Sequence, residues 1–496
     1  IVGVDDPARS PNATLPTPDD SRVFVDSGAV IDVSGATTEL PMERNSLRVE
    51  LRGSELGDFP LQRDGALRGE AVYVDVRRSG ERSDGSLWQG SPVGDLSGNL
   101  TTIARDVRER NLAGGSITLR SQGAVMVADR ATLDVSGGAI TWRDGYVRTS
   151  RVLGADGRTY DIGDASPDRL YVGIVGEQSI RDTRWGLEGT FALFGDPRGT
   201  FERGYVEGKD AGSVSLIAPR VALDGLIGGR TNVGPFQRSP RSSSFTGLYR
   251  PYDERPAGAR LTIGVDATVA EGALNNLVTS RIVIGPGQTL AGYVNEDGTR
   301  FDPRTDPVPA TFDTTWISSS LFEAGRVGSV ALYANGSIVL APNQPLELPP
   351  GESFLAEAAV IEVRSGILIP GGEIDLAARP TAEVALQPRV LVEGGVALDV
   401  AGLWTNDSTV LGATVVTGAP QFPDGGRVAL SVTDGGLVVE PGARLDVSGG
   451  AVRGSNGRVV GGSGGSIALG TRSVLGEGGN EYSMAAELVG YALERG

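Results

Sequence analysis

A short segment that recurs six times constrains the fold of this chain more than any other feature. Each copy begins with a residue pair that ends in glycine and continues with apolar residues at alternate positions. The copies occupy residues 114–119, 211–216, 327–332, 371–376, 425–430 and 464–469. Because successive side chains of a strand point to opposite faces, each copy predicts a β-strand entered through a tight, glycine-dependent turn.

A second repeat places an aspartate between apolar residues. It is clear at residues 29–35, 131–137 and 443–449, and looser at 221–225 and 396–402. In the third copy the strand alternation predicts that Leu445 and Val447 point inward while Asp446 and Ser448 face water. A further apolar segment lies between the two repeats, at 124–127 and at 437–439.

The two repeats and the intervening segment give three short strands within roughly 20–25 residues, separated by turns that contain glycine or proline. Hairpin signals are sparse, so these strands have no obvious partner nearby in the sequence. We therefore predict an all-β fold, a right-handed parallel β-helix (β-solenoid) with loop and subdomain insertions. Its coils would stack on one another, on the order of 15 of them if insertions take about 150 residues.

The spacing of the repeats along the sequence divides the chain into segments. We expect an irregular lead-in at 1–20, coils at 21–139, an aromatic-rich insertion at 140–210, and coils at 211–475 with insertions near 234–260 and 291–323. The last segment, 476–496, contains a run at 482–489 whose helical propensity predicts a short helix. The chain is interpreted as an internal fragment or a processed product of a larger protein.

The aromatic side chains outside the repeats are the candidates for recognition. An aromatic-rich insertion is either a packed subdomain or a ligand groove, and residues 140–210 are consistent with both. Loops on the side of a solenoid are also common places for binding. The predicted recognition surface comprises Trp142, Tyr146, Tyr160, Trp185, Phe236, Tyr249, Tyr252 and Trp316.

Composition excludes several classes of function. The chain has 73 glycines and 28 prolines yet is 39% hydrophobic, which suits neither a disordered linker nor a helical protein. It contains no histidine and no cysteine, which excludes Ser-His-Asp and Cys-His catalysis, disulfides and His- or thiolate-bound metals. A net charge of −17 disfavours nucleic acid as a partner. No apolar run approaches the length of a membrane span.

The acidic residues do not form a predicted catalytic or metal site. Asp32, Asp134, Asp399 and Asp446 lie tens of residues apart, so we expect them on non-adjacent coils, each stabilising a turn. The loop acids at 156–168 and 296–306 match no calcium loop and are expected to be solvated. No catalytic residue, cofactor or metal ligand is therefore predicted.

The alternation of Gly-Gly-Ser-Ile-x-Leu with Ala-x-Leu-Asp-Val-Ser-Gly-Gly resembles the large exoproteins of the filamentous-haemagglutinin family, which are secreted by the two-partner route. Residues 204–216, which include the single lysine, Lys209, and residues 234–238 resemble a block in the later part of some members. The resemblance implies secretion through an outer-membrane transporter partner, an extracellular location at the bacterial surface and a role in adhesion. The family's N-terminal secretion module is not evident, so this segment would be shaft or cargo.

The expected function is a structural and adhesive shaft that contacts a host or another cell through a glycan or protein receptor, without enzymatic activity. Two alternatives stay open. One is a β-helix that binds or degrades polysaccharide, since such proteins share this architecture. The other is a filament subunit that associates end to end through the unpaired strand edges of its terminal coils.

Overall fold

The computed structural model describes residues 20–175, 177–182, 184, 187–192, 198–241, 251–265, 279–309, 312–322, 326–381, 386–408, 419–473 and 482–493. In this part of the chain the protein is built mainly from strands, many of them parallel, so the all-β prediction is confirmed. The helices are short: α1 (Gly53–Leu56), α2 (Pro60–Arg63), α3 (Ser97–Thr101) and α4 (Val107–Arg110).

The strands are numbered in chain order. The first part of the chain contains β1 (Arg22–Val25), β2 (Val30–Asp32), β3 (Thr37–Pro41), β4 (Ser46–Glu50), β5 (Ala71–Asp75), β6 (Ser79–Glu81), β7 (Leu87–Gln89), β8 (Ser116–Arg120), β9 (Ala124–Val127), β10 (Thr132–Asp134), β11 (Ala139–Arg143), β12 (Gly145–Val147), β13 (Arg151–Gly154), β14 (Thr159–Asp161), β15 (Tyr171–Val175), β16 (Glu177–Asp182), β17 (Leu187–Ala192), β18 (Thr200–Glu202), β19 (Val206–Gly208), β20 (Ser213–Ile217), β21 (Arg220–Leu223) and β22 (Leu226–Gly228).

The second part contains β23 (Arg260–Ile263), β24 (Thr279–Ile284), β25 (Thr314–Ile317), β26 (Ser329–Leu340), β27 (Leu346–Glu347), β28 (Ser353–Ala358), β29 (Val360–Val363), β30 (Ile367–Leu368), β31 (Glu373–Ala378), β32 (Arg389–Val392), β33 (Ala397–Asp399), β34 (Trp404–Asn406), β35 (Arg427–Thr433), β36 (Gly436–Val439), β37 (Arg444–Asp446), β38 (Ala451–Arg453), β39 (Val459–Gly461), β40 (Ser466–Arg472), β41 (Tyr482–Met484) and β42 (Glu487–Val489).

Most of these strands pair in three parallel ladders, which we call the stack together with the small sheet of β3, β11 and β19 that adjoins them. The first ladder joins β8, β20, β23, β26, β28, β31, β35 and β40. The second joins β1, β9 and β21, and then β25, β24, β26, β29, β32, β36 and β41. The third joins β2, β10 and β22, and then β27, β30, β33, β37 and β42. Triplets such as β8–β10 and β35–β37 visit the three ladders in turn, so each triplet forms one layer.

The interior of the stack is a set of apolar columns. In the first ladder one column consists of register partners from successive layers: Ile117, Val214, Leu261, Val330, Phe354, Ile374, Val428 and Ile467. All of them except the terminal Ile467 are buried, and they belong to one continuous core. Burying an aliphatic side chain contributes about 1.5–3 kcal/mol, so each layer is held by the layers on either side of it.

Glycine is required at several of the corners that precede strands of the first ladder, such as those before β35 and β40. There the amide of Arg427 donates to the carbonyl oxygen of Gly372 in the adjacent layer, at 2.9 Å, and the amide of Ser466 donates to Gly426 at 3.0 Å. A Cβ on Gly426 would lie 1.9 Å from the Gly372 oxygen, and one on Gly465 would lie 1.9 Å from the Gly426 oxygen. The recurring glycine therefore reflects a close approach of two backbones.

The repeated aspartates occupy positions that differ from those expected. Asp32 and Asp134 are register partners, as are Asp399 and Asp446, so each pair lies on adjacent layers. The prediction that they are non-adjacent was wrong, because it assumed that the intervening chain continues the stack. Asp446 is also buried rather than facing water.

Each of these four carboxylates does stabilise a turn. It accepts a hydrogen bond from the amide two residues later, at 2.8–2.9 Å, and Arg444 additionally donates to Asp446 at 2.6 Å. These hydrogen bonds satisfy the carboxylates and offset the repulsion between neighbouring like charges.

The chain also leaves the stack where coils were expected. Residues 42–112 and 149–175 form a separate body, which we call the side unit. In it β4 pairs with β5, β6 pairs with β7, and β13 pairs with both β14 and β15, all antiparallel. Its core joins Val72 and Leu96 to Val152 and Tyr171 from the predicted aromatic insertion. The stack therefore has fewer layers than the predicted number of coils, and its first ladder contains eight strands in the described residues.

Two smaller expectations also differ from the structure. The predicted insertion at 291–323 returns to the stack through β25, and its Tyr293 and Phe312 pack against Met126 on the outside of the second ladder. The short helix predicted at 482–489 is absent: these residues form β41 and β42, which pair with β36 and β37. Pairing with an existing strand edge outweighs a weak helical propensity.

We predict that Gly426→Ala destabilises the protein by about 1–3 kcal/mol, because the new methyl group must displace backbone in the adjacent layer. The matched control is Gly470→Ala in β40, where a Cβ would have no neighbour within 4 Å. That substitution should change stability by no more than about 1 kcal/mol. Urea unfolding monitored by circular dichroism measures both, and equal midpoints for the two variants would contradict the role of the corner.

Candidate functional site

A cleft of about 420 Å³ separates the side unit from the stack, and it is the candidate site. Both bodies contribute to its walls. Apolar side chains form part of the lining: Leu40, Val76, Ile103, Leu112, Ile140, Trp142, Pro251 and Tyr252. The remaining side chains that shape it are mostly charged or polar.

The stack wall of the cleft is built on β11 and β19, which pair antiparallel. The Trp142 indole Nε1 donates to Glu207 Oε2 at 2.8 Å, and both residues are buried. Lys209 Nζ donates to the other oxygen, Oε1, of Glu207. The Lys209 side chain is 29% exposed, so its ammonium group is accessible from the cleft while the ion pair with Glu207 holds it in place.

A buried glutamine and two aromatic rings close one end of the cleft. Gln237 accepts hydrogen bonds from the amides of Gly208 and Gly234 and donates to the Gly208 carbonyl, which ties the loop that follows Phe236 to β19. Phe236 packs edge-on against Tyr252, with ring centroids 6.0 Å apart. Tyr252 is 37% exposed, so one part of its ring is accessible from the cleft.

The side-unit wall is formed by α4 and by the turn at Met42–Asn45. Asp106 caps α4 by accepting from the amide of Glu109 at 2.7 Å, and the Glu109 carboxylate accepts from the Asp106 amide at 2.8 Å. Glu109 also accepts from Arg44 at 2.8 Å. Arg105, which precedes the capping residue, and Arg110, the last residue of α4, both line the cleft.

Arg77 joins the side unit to the chain that returns to the stack. Its guanidinium donates to both oxygens of Asp75 and of Glu202, and to the Tyr205 hydroxyl at 3.3 Å. Burial alone would lower the pKa of Arg77, but the hydrogen bonds to the two carboxylates outweigh it and raise that pKa. Burial also raises the pKa of the adjacent Tyr205 phenol. This ion-pair group connects the side unit to β18 beside the cleft.

The cleft differs in charge from the molecule as a whole. Its basic lining residues are Arg44, Arg77, Arg105, Arg110 and Lys209, and its acidic ones are Glu109, Glu207 and Asp210. The chain carries a net charge of −17, whereas the charged residues of this lining sum to a positive value. A ligand in the cleft therefore meets a local excess of hydrogen-bond donors.

The structure brings together only part of the predicted recognition surface. Trp142 and Tyr252 line the cleft, and Phe236 supports Tyr252. Tyr146 packs against Phe201, away from the cleft lining. Tyr160 packs against the core of the side unit. Trp316 lies on β25 in contact with Gly287. Trp185 and Tyr249 lie outside the described residues.

Sequence reasoning missed the arginines of the side unit. Residues 36–113 contain no copy of either repeat, and this gap was the available signal that the stack is interrupted. Within it, Asp106 and Glu109 have the spacing of a capping box, which marks a helix start rather than a strand. Together these signals could have placed Arg110 on a helix outside the stack.

A second cavity, a groove of about 880 Å³, runs along the glycine corners of the stack. Its floor is mainly glycine backbone from successive layers. Its polar edge includes the first residues of several strands of the first ladder, among them Arg260, Ser329, Glu373, Arg427 and Ser466. The groove therefore presents one polar position for each of these layers.

Comparison with protein-family models, with curated proteins and with solved structures finds no match for this chain. Within the described ranges, no group of three or more acidic side chains is arranged to hold a metal ion. No helix in the same ranges combines the length and apolarity needed to cross a membrane.

We predict that Arg77→Met destabilises the protein by about 3 kcal/mol, because it leaves two partly buried carboxylates without their partner. Arg77→Lys should recover only part of this loss, since an ammonium group cannot bridge two carboxylates as a guanidinium does. The control is Arg68→Met in the same side unit, which removes an exposed pair with Asp64 and should cost less than about 1 kcal/mol. Urea midpoints that do not separate Arg77→Met from Arg68→Met would contradict this role.

Proposed function

We propose that the stack is a right-handed parallel β-helix and that it forms the shaft of a secreted bacterial surface exoprotein. The shaft would present the side unit and its cleft for contact with a host or another cell. Secretion through an outer-membrane transporter partner follows from the resemblance of the repeats to the filamentous-haemagglutinin family. The observation that carries the proposal is the register of the three ladders, in which consecutive strands pair with equivalent strands of the next layer.

The arrangement of the core supports a shaft rather than a reaction chamber. Each layer is buried by its neighbours, so additional layers extend the molecule along one axis without enlarging the core. The interior columns are apolar throughout the main core, which leaves binding to the outer surface. The cleft lies on that outer surface, between the stack and the side unit.

Polysaccharide binding along the glycine groove is a second candidate. The groove is open and elongated, and its polar edge repeats once per layer at the strand spacing of about 4.8 Å. A linear glycan also repeats its hydroxyl groups at a regular spacing. Such a ligand could hydrogen-bond to several layers at once. Each contact would be weak, but the linked contacts along the glycan would together raise the affinity.

The β-helix predicts that one layer can be removed without loss of folding. Ser353 and Glu373 are register partners, so deletion of residues 353–372 removes one layer and rejoins the chain in register. We expect this variant to unfold cooperatively and to be shorter by about 4.8 Å in small-angle scattering. Deletion of residues 353–362 removes half a layer and should abolish folding. If both deletions unfold the protein, the solenoid architecture is contradicted.

The contact role predicts that the protein binds cell surfaces. Beads coated with the full chain should adhere to cultured animal or bacterial cells, and soluble protein should compete with them. Beads coated with an acidic globular protein are the control, because they carry the charge without the shaft. Adhesion equal to that control on every cell type would overturn the contact role.

A further inference from the structure

We propose that the cleft between the side unit and the stack binds an anionic sugar, specifically a sugar that carries a carboxylate. This assignment rests on the proposed contact role, because acidic sugars are exposed on cell surfaces. It goes further by naming the ligand class and the groups that recognise it. Arg110 and Lys209 are assigned to the carboxylate, and Tyr252 to the face of the sugar ring.

The hydrogen-bonding state of the lining favours a ligand that accepts hydrogen bonds. The carboxylate of Glu207 is occupied by Trp142 and Lys209, and that of Glu109 by the α4 cap and Arg44. Asp210 Oδ1 accepts from the amide of Ala257 at 2.7 Å. The acidic groups of the cleft therefore have little capacity left for a cationic ligand.

The basic groups Lys209, Arg44 and Arg110 have N–H donors that are available to a ligand. Lys209 has three N–H donors, and among the described residues its ammonium group donates to Glu207 alone. Within the described ranges, Arg44 donates only through its Nη2, to Glu109 and to the Ala104 carbonyl. Arg110 is exposed, and its guanidinium makes no hydrogen bond or ion pair with the described residues. A guanidinium in this state can bind a carboxylate through two parallel hydrogen bonds.

The apolar part of the lining fits a ring rather than a free carboxylate ion. Tyr252 is partly exposed, and Ile103 and Leu112 lie on the same cleft surface. The C–H face of a pyranose ring can pack on such a surface while its substituents reach the charged groups. The volume of about 420 Å³ is within the usual range for a small-molecule site.

The single lysine provides a direct test, because an amine-reactive ester modifies only Lys209 and the chain's α-amino group. Acylation of Lys209 in the full chain is followed by mass spectrometry with increasing glucuronate, glucose 6-sulfate or glucose. We expect glucuronate to slow acylation of Lys209 in a saturable manner and glucose to have no effect. The α-amino group in the same sample is the internal control for reagent consumption.

The variant Arg110→Gln should weaken protection by glucuronate about tenfold, as expected for the loss of a charge-assisted hydrogen bond. Arg63→Gln is the matched control, because Arg63 is exposed on the same side unit and does not line the cleft. It should leave protection unchanged. Urea midpoints of both variants check that the fold is retained.

Protection by glucuronate alone that weakens in Arg110→Gln supports the assignment. Equal protection by glucose, or no protection by any sugar, overturns it. Protection by glucose 6-sulfate alone overturns the assignment of a carboxylate-bearing sugar and indicates a sulfated sugar instead. These outcomes are separable from the shaft proposal, since the layer deletion and bead adhesion are measured without any sugar ligand.

Discussion

The stack depends on the approach of one backbone to the next at the glycine corners. At the corners before β20, β31, β35 and β40 a backbone amide donates to a carbonyl oxygen in the adjacent layer, and a Cβ at the preceding glycine would lie within 2.4 Å of that oxygen. Because this contact fixes where these layers begin, it also sets the register of the strand that follows. A slip of one residue would turn the apolar columns outward. The corner contact and the apolar core therefore specify the same register.

Local patterns predicted the elements whose partners are equivalent repeats. The strands β8–β10 and β35–β37 were predicted in order, and their apolar faces are buried as expected. The side unit was not predicted because distant segments of the chain form its core. Val72 and Tyr171 belong to this core although the stack strands β8, β9 and β10 lie between them in the sequence. The adjacency of Asp32 and Asp134 was missed for the same reason, since it depends on where the chain leaves the stack and returns. Aromatic composition identified Trp142 and Tyr252 but carried no information about the arginines opposite them.

Long excursions are compatible with the stack because layers contact only their neighbours. The strands β3 and β11 pair in parallel although the side unit's first segment lies between them in sequence. The entropy cost of closing such a loop grows only slowly with its length, so a large insertion is tolerated if the rejoined layers stay in register. The side unit adds its own core, and the ion pair between Arg77 and Glu202 connects it to β18. The cleft is a consequence of joining these two bodies.

The cleft also illustrates why net charge is a poor guide to what one site can bind. A charge of −17 is spread over the whole chain, and interactions between exposed charges are largely screened beyond about 8 Å at physiological ionic strength. Within the cleft the five guanidinium and ammonium groups of the lining outnumber its three carboxylates, so the local charge is positive. An extended polyanion would also contact the rest of a chain whose net charge is −17, and this charge would repel it. A single anionic sugar would contact mainly the basic lining, so the same molecule can disfavour nucleic acid and still bind a small anion.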